Sequence, residues 1–193
     1  MEQKKDLTKK LIAQGFKDLM QKYPFEKITI KMISDEAGII RPTFYNHFRD
    51  KYDLLEWIFY TEVISEARSL LDHGMQLEAV KFIFRCLISE RTFYQKAFLL
   101  TGQNSFEDII IKYFTELFLY SMQLNEENDY PAHNSFITPD NVAGFYTIGI
   151  VTAIKNWMLN DRSVEPPMDE LMDAFNYLLT HSLDDILGGK HKI

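Results

Sequence analysis

Apolar residues in this chain recur at three- and four-residue intervals rather than in strict alternation, and only 6 prolines and 8 glycines interrupt its 193 residues. A strand buries every second side chain, whereas a helix buries a stripe with a period near 3.6. The spacing therefore predicts an all-α protein, with the scarce prolines and glycines marking where one helix gives way to the next. Residues 6–23 set Ile12, Phe16, Leu19, Met20 and Tyr23 on one stripe, with Lys and Asp opposite, and Pro24 stops the run.

Thr29 has the chemistry of an N-cap for a short helix carrying Ile30, Ile33 and Ala37, and Gly38 supplies the left-handed turn that ends it. A second short helix is predicted from Arg41 to His47, with Pro42 in its first turn, where a missing N–H costs nothing. A longer helix follows over 51–71 through Leu54, Leu55, Ile58, Phe59, Val63 and Leu70. Further helices are predicted over 75–87, 89–100, 104–124, 140–160 and 168–187, with a polar, proline-punctuated loop over 125–139 and Gly188 and Gly189 closing the last helix.

Charge is unevenly placed along this pattern. The net charge is −7, which taken alone argues against a polyanion partner. Residues 1–51, however, hold eleven Lys and Arg against seven Asp and Glu, for +4, and the remainder stands at −11. A basic head on an acidic body is the distribution of a protein whose head meets a polyanion, and as often that of a lysine-rich solvated face, so the pattern needs a motif behind it. The lone Cys86 excludes an internal disulfide and fits a small buried hydrophobe in a reducing compartment. With no apolar run of about 18 residues expected, the cytoplasm is the predicted setting.

Two short helices joined by Ala37-Gly38-Ile39, preceded by an amphipathic helix and set in the basic head, make a helix-turn-helix by spacing and charge. The first packs through Ile30, Ile33 and Ala37 so that the second presents Arg41, Thr43, Asn46 and His47 outward, with Phe44 and Phe48 for the core. Tyr45 is amphipathic, able to lay its ring on the backbone while its hydroxyl donates to a phosphate.

Residues 25–59, FEKITIKMISDEAGIIRPTFYNHFRDKYDLLEWIF, resemble the DNA-binding signature of the TetR family of bacterial transcriptional regulators. The shared elements are a Thr-led short helix, an Ala-Gly-aliphatic turn, Thr-aromatic-Tyr-x-His-Phe, and a Lys opening the linking helix. By position, the resemblance implies phosphate contacts from Thr29 and Lys31, reach into the major groove from Arg41, Thr43 and Asn46, and backbone contacts from Tyr45, His47 and Lys51. Each has a plainer use as well: His47 as a packing histidine, Tyr45 as a core aromatic, Lys51 as a solvated first-turn lysine. Ile40 departs from the family, which often has a capping Ser there.

The resemblance divides the chain into a DNA-binding domain over 1–50 and a helical effector-binding and dimerisation domain over 51–193. Ten aromatics fall between Phe82 and Tyr120. An apolar cavity with a few polar fixers has this composition, and so has an ordinary aromatic core. The cavity reading draws on Arg91, Tyr94, Phe98, Tyr113, Phe114 and Phe118. In the resembled family the last two long helices pair with their counterparts in a second subunit. The residues this implies here are Phe145, Gly149, Thr152 and Ala153, and Phe175, Leu178, Leu179 and Leu183. The segment IGIVTAIKNWMLND also resembles a TetR subgroup that includes the dihydroxyacetone-kinase operon activators.

The function this implies is a ligand-responsive, homodimeric regulator on a pseudo-palindromic operator, a repressor by the general habit of the family, with an activator acting through a protein partner as the alternative. No cofactor or metal is called for. A helical enzyme finds little support, since there is no Gly-rich phosphate loop, no HExxH and no nucleophile elbow, and the five histidines are scattered.

Overall fold

The computed structural model describes residues 2–102, 105–124, 135–160, 167–181 and 186, apart from the side chains of 2–4 and 179. Among the described residues every regular element is helical. Residues 1–160 form one compact unit and residues 161–193 a second.

Helix α1 (Glu2–Lys22) opens the first unit, with Ile12, Phe16 and Met20 fully buried and Leu19 nearly so. Tyr23 does not join the stripe as predicted: the helix ends at Lys22, ahead of Pro24, and the ring is left exposed. A 3-10 turn (Phe25–Lys27) leads into α2 (Ile30–Glu36), where Phe25 meets Phe16 edge-on at 6.0 Å. The Thr29 hydroxyl oxygen accepts from the Met32 amide at 3.2 Å, the cap its sequence position predicts.

Helix α2 ends as Gly38 predicts. Its φ is +66°, the Gly38 amide donates to Asp35 O at 3.2 Å, and the Ile39 amide donates to Ser34 O at 2.9 Å. These two bonds are a Schellman motif, which satisfies the last carbonyls of the helix and turns the chain sharply. The end of α2 lies so close to α1 that a Cβ on Gly15 would stand 3.1 Å from the Ala37 nitrogen.

Helix α3 is short (Arg41–Tyr45), and Asp50 then caps α4 (Lys51–Phe59) by accepting from the Tyr52 and Asp53 amides at 2.8 and 2.9 Å. Helix α4 continues through a π turn (Tyr60–Ile64) into α5 (Ser65–Asp72), giving the linking helix predicted over 51–71. Beyond it lie α6 (Gln76–Ser89), α7 (Arg91–Phe98), α8 (Phe106–Leu124) and α9 (Pro139–Leu159). The second unit contributes α10 (Met168–Thr180), capped by His181, and of the remaining residues in the predicted 168–187 only Ile186 is among those described. Gly188, Gly189 and residues 125–134 of the predicted loop lie outside the described residues.

The core of the first unit is aromatic, and Phe59 and Phe106 sit at its centre, both fully buried. Tyr94 stacks on Phe106 at 5.6 Å, Phe98 meets it edge-on at 5.1 Å, and Phe59 meets it edge-on at 5.3 Å. Offset and T-shaped pairs of this kind are the favoured geometries for ring quadrupoles.

Helix α7 holds two other helices by their C-terminal ends, where carbonyls lack intrahelical partners and the helix dipole is negative. Arg91 donates to the carbonyls of Trp157, Met158 and Asn160 at 3.3, 3.3 and 3.2 Å, and Gln95 adds a bond to Met158 O at 2.7 Å. On the other side, Lys96 donates to Gln21 O at 2.9 Å and Tyr23 O at 3.5 Å, capping α1. Nearby, the buried Lys17 of α1 pairs with Glu62 in the π turn and faces Glu90 at 3.5 Å. A buried ammonium needs such partners.

Helix α9 is long and apolar enough to cross a membrane by length and composition alone, although its threonines, glycines, asparagines and Lys155 keep it from being a continuous apolar run. Its apolar residues split between a buried side, with Ala143, Val151, Ile154 and Met158, and an exposed side, with Phe145, Ile148 and Leu159.

Candidate nucleic-acid interface

The chain places α3 with Phe44 and the following Phe48 buried and its other residues turned outward. Phe44 and Phe48 lie 5.8 Å apart, Phe48 packs on Trp57 at 5.5 Å, and Lys9 of α1 sits over both the Phe48 and Trp57 rings at 5.8 and 5.4 Å. This aromatic anchor fixes which side of a five-residue helix faces solvent, something so short a helix could not do alone. Arg41, Pro42, Tyr45 and Asn46 are exposed, and Thr43 and His47 are half-buried.

Of the residues expected at DNA, Arg41 and Asn46 stand in the open at the two ends of α3, and Tyr45 is 51% exposed with its ring against Phe44. Thr29 is exposed, and its hydroxyl hydrogen is not used by the cap, which employs only the oxygen. Lys31 pairs with Asp35 one turn along α2 at 2.6 Å, both side chains well exposed. An exposed pair of this type is weak, about 0.3–0.5 kcal/mol, so a phosphate competes easily for the lysine. His47 has its pKa pushed below the ordinary value, first by burial and then by the positive charges of Lys9 and Lys5.

Lys51 is used differently from the backbone contact that the resemblance implies. Its ammonium donates to Phe25 O at 2.7 Å and Ile28 O at 3.0 Å, reaches Glu26 O at 3.5 Å, and lies 4.2 Å above the Phe25 ring. Its three N–H donors thus face the 3-10 turn, and burial lowers its pKa. Only the fold shows that Lys51 reaches these carbonyls.

The body residues divide in the same way. Tyr94 and Phe98 are almost fully buried, as are Phe114 and Tyr113, and all four belong to the aromatic core around Phe59 and Phe106 or its edge. The Tyr113 hydroxyl donates to Glu56 at 2.9 Å, and burial followed by that carboxylate raises its pKa to about 12. Phe118 is half-buried and stacks on Tyr146 at 6.1 Å. Arg91, expected among the ligand-fixing polar groups, instead holds the end of α9 through three carbonyls.

On α9, Phe145 is 76% exposed, and Gly149, Thr152 and Ala153 are exposed beside it. Ile148 and Leu159 extend this face, at the helical period counted from Phe145. On α10, Leu178 is exposed and Phe175 half-buried. Leu183 and the side chain of Leu179 lie outside the described residues.

A Schellman turn between two short helices, an outward-facing Arg-Pro-Thr helix and a basic first helix braced behind it define a helix-turn-helix transcriptional regulator that binds DNA. Family models agree with that geometry. Residues 12–58 match "Bacterial regulatory proteins, tetR family", and residues 76–186 match "Transcriptional regulator C-terminal region". The chain belongs to the TetR family. It is 28% identical over 170 residues to the HTH-type dhaKLM operon transcriptional activator DhaS of Lactococcus lactis subsp. lactis (strain IL1403), covering 86% of this chain and 88% of that protein. A solved structure of the dihydroxyacetone kinase operon activator DhaS superposes with a TM-score of 0.63 at 26% identity, covering 89% of this chain and 93% of that one.

Proposed function

We propose that the protein works in the cytoplasm as a homodimer, whose two heads, residues 1–50, sit on successive major grooves of a pseudo-palindromic operator and whose remaining residues, 51–193, bind an effector or a partner protein and carry the dimer contacts. The observation that carries this reading is the pairing of an exposed recognition surface, Arg41 to Asn46, with an exposed apolar face on α9 through Phe145 and Ile148. An exposed apolar helix face on a regulator suits a second copy of the same helix, and a two-fold dimer matches a two-fold operator. Half-sites about 34 Å apart set the spacing the heads must keep. An effector that favours one spacing over another shifts operator affinity by about 5- to 150-fold.

Repression is the simplest outcome of occupying a promoter. The similarity to a protein described as an operon activator favours a second reading, in which the bound dimer raises transcription. Titration of the purified protein against its own upstream intergenic DNA, at two salt concentrations and beside an unrelated duplex, tests the DNA assignment. A transcription assay on the bound promoter then separates the two outcomes. Equal, weak binding to both duplexes would defeat the proposal for that DNA.

A further inference from the structure

We infer that Ile40 is a base-reading residue that recognises the 5-methyl group of a thymine in the major groove. The inference rests on the assignment of α3 as the recognition helix. Ile40 is the N-cap residue of α3, in extended backbone at φ −87° and ψ 149°, and its side chain makes no cap bond. Among the large apolar residues described in the head it is the most exposed, at 68%.

An N-cap side chain ordinarily accepts from the amide of the second or third helical residue. Here the second residue is Pro42, which has no N–H, and the Thr43 amide already donates to the Ile40 carbonyl at 2.9 Å. A polar cap would have little to accept, so the local structure releases position 40 from the capping duty that a serine would perform. What stands there is a branched aliphatic side chain, directly before the exposed Arg41.

Residues at the N-terminus of a recognition helix approach base edges, and the thymine methyl is the apolar feature of the major groove. An exposed isoleucine next to an arginine is complementary to a thymine next to a guanine, because Arg pairs with the guanine O6 and N7 while the aliphatic group covers the methyl. A phosphate offers Ile40 nothing, which separates this role from the backbone contact of a serine.

The test is a binding-site selection from a random duplex library, run with the full chain, with Ile40→Ser and with Arg41→Ala. The wild-type protein is expected to enrich a thymine that Ile40→Ser no longer prefers. Replacing that thymine by deoxyuridine, which removes only the methyl, should weaken wild-type binding about fourfold, the worth of one buried methyl-sized group, and leave Ile40→Ser unchanged. Identical motifs from both proteins, or an equal cost of deoxyuridine to both, overturns the inference. So does an Ile40→Ser protein whose sedimentation changes while its selected motif does not, since the residue would then serve a protein contact. If Arg41→Ala selects the wild-type motif, the assignment of α3 itself falls.

Discussion

The Lys51 ammonium lies 2.7 Å from the carbonyl oxygen of Phe25 and 4.2 Å above that residue's ring, so the first residue of the linking helix is tied to the turn between α1 and α2. A hydrogen bond from a charged group is worth about 1.5–3 kcal/mol net. Lys51→Met is therefore expected to lower unfolding stability by about that amount in denaturant titrations. The slope of log affinity against log salt should remain unchanged, because no phosphate contact is removed. A slope reduced by about one with unchanged stability would show that the lysine meets DNA after all.

Arg41 and Lys31 should separate by the kind of binding they supply. Arg41→Ala is expected to cost about 1–3 kcal/mol against the operator and to relax preference at one base pair, as loss of a bidentate base contact does. Lys31→Ala should weaken operator and unrelated duplex alike and reduce the salt slope by about one. Affinity titrations on both duplexes at several salt concentrations check the two together.

His47 gives a sign that can be read by titration. Burial and the Lys9 and Lys5 charges lower its pKa in the free protein, and a phosphate beside the ring would raise it again. The complex then holds more protons than the free protein, so operator affinity is expected to rise as pH falls from about 7.5 through the ordinary histidine pKa of about 6.5. Stability of the free protein moves the other way: the folded state holds fewer protons than the unfolded chain, so stability is lost as pH falls through the ordinary histidine pKa of about 6.5 toward the lower folded value. His47→Gln should flatten both slopes, and an affinity that falls along with stability would remove His47 from the interface.

The exposed side of α9 predicts an assembly effect. Phe145→Asp or Ile148→Asp places a charge where a second copy would bury apolar surface. Sedimentation velocity should show a shift toward monomer, with operator affinity reduced although the head is untouched. A helical far-UV spectrum equal to that of the wild type would assign the loss to assembly.

The local elements of this fold were legible because they depend on neighbours in sequence. Thr29, Gly38 and Pro42 act within one turn of where they stand, and the structure uses each as its chemistry predicts. The long-range uses were not legible. Lys51 and Arg91 are cations whose partners are backbone carbonyls 23 to 26 and 66 to 69 residues away, and a carbonyl has no letter in the sequence. The aromatic run between Phe82 and Tyr120 was ambiguous for another reason: composition alone cannot say whether rings line a space or fill it, and here Tyr94 and Phe98 close on Phe106.

The linking helix buries Leu55, Phe59, Val63, Ala67 and Leu71, a spacing of four throughout. At 3.6 residues per turn, each such step overshoots by about 40°, and four steps would carry the last residue roughly 160° round the axis from the first. The wider π turn at Tyr60–Ile64 takes back part of that drift within one turn. The helix can thus keep one side toward the core across roughly 24 Å of rise from Leu55 to Leu71, at about 1.5 Å per residue. The same residues wound throughout as plain α-helix would keep the first half of the helix in place and deliver its second half in an altered angular phase.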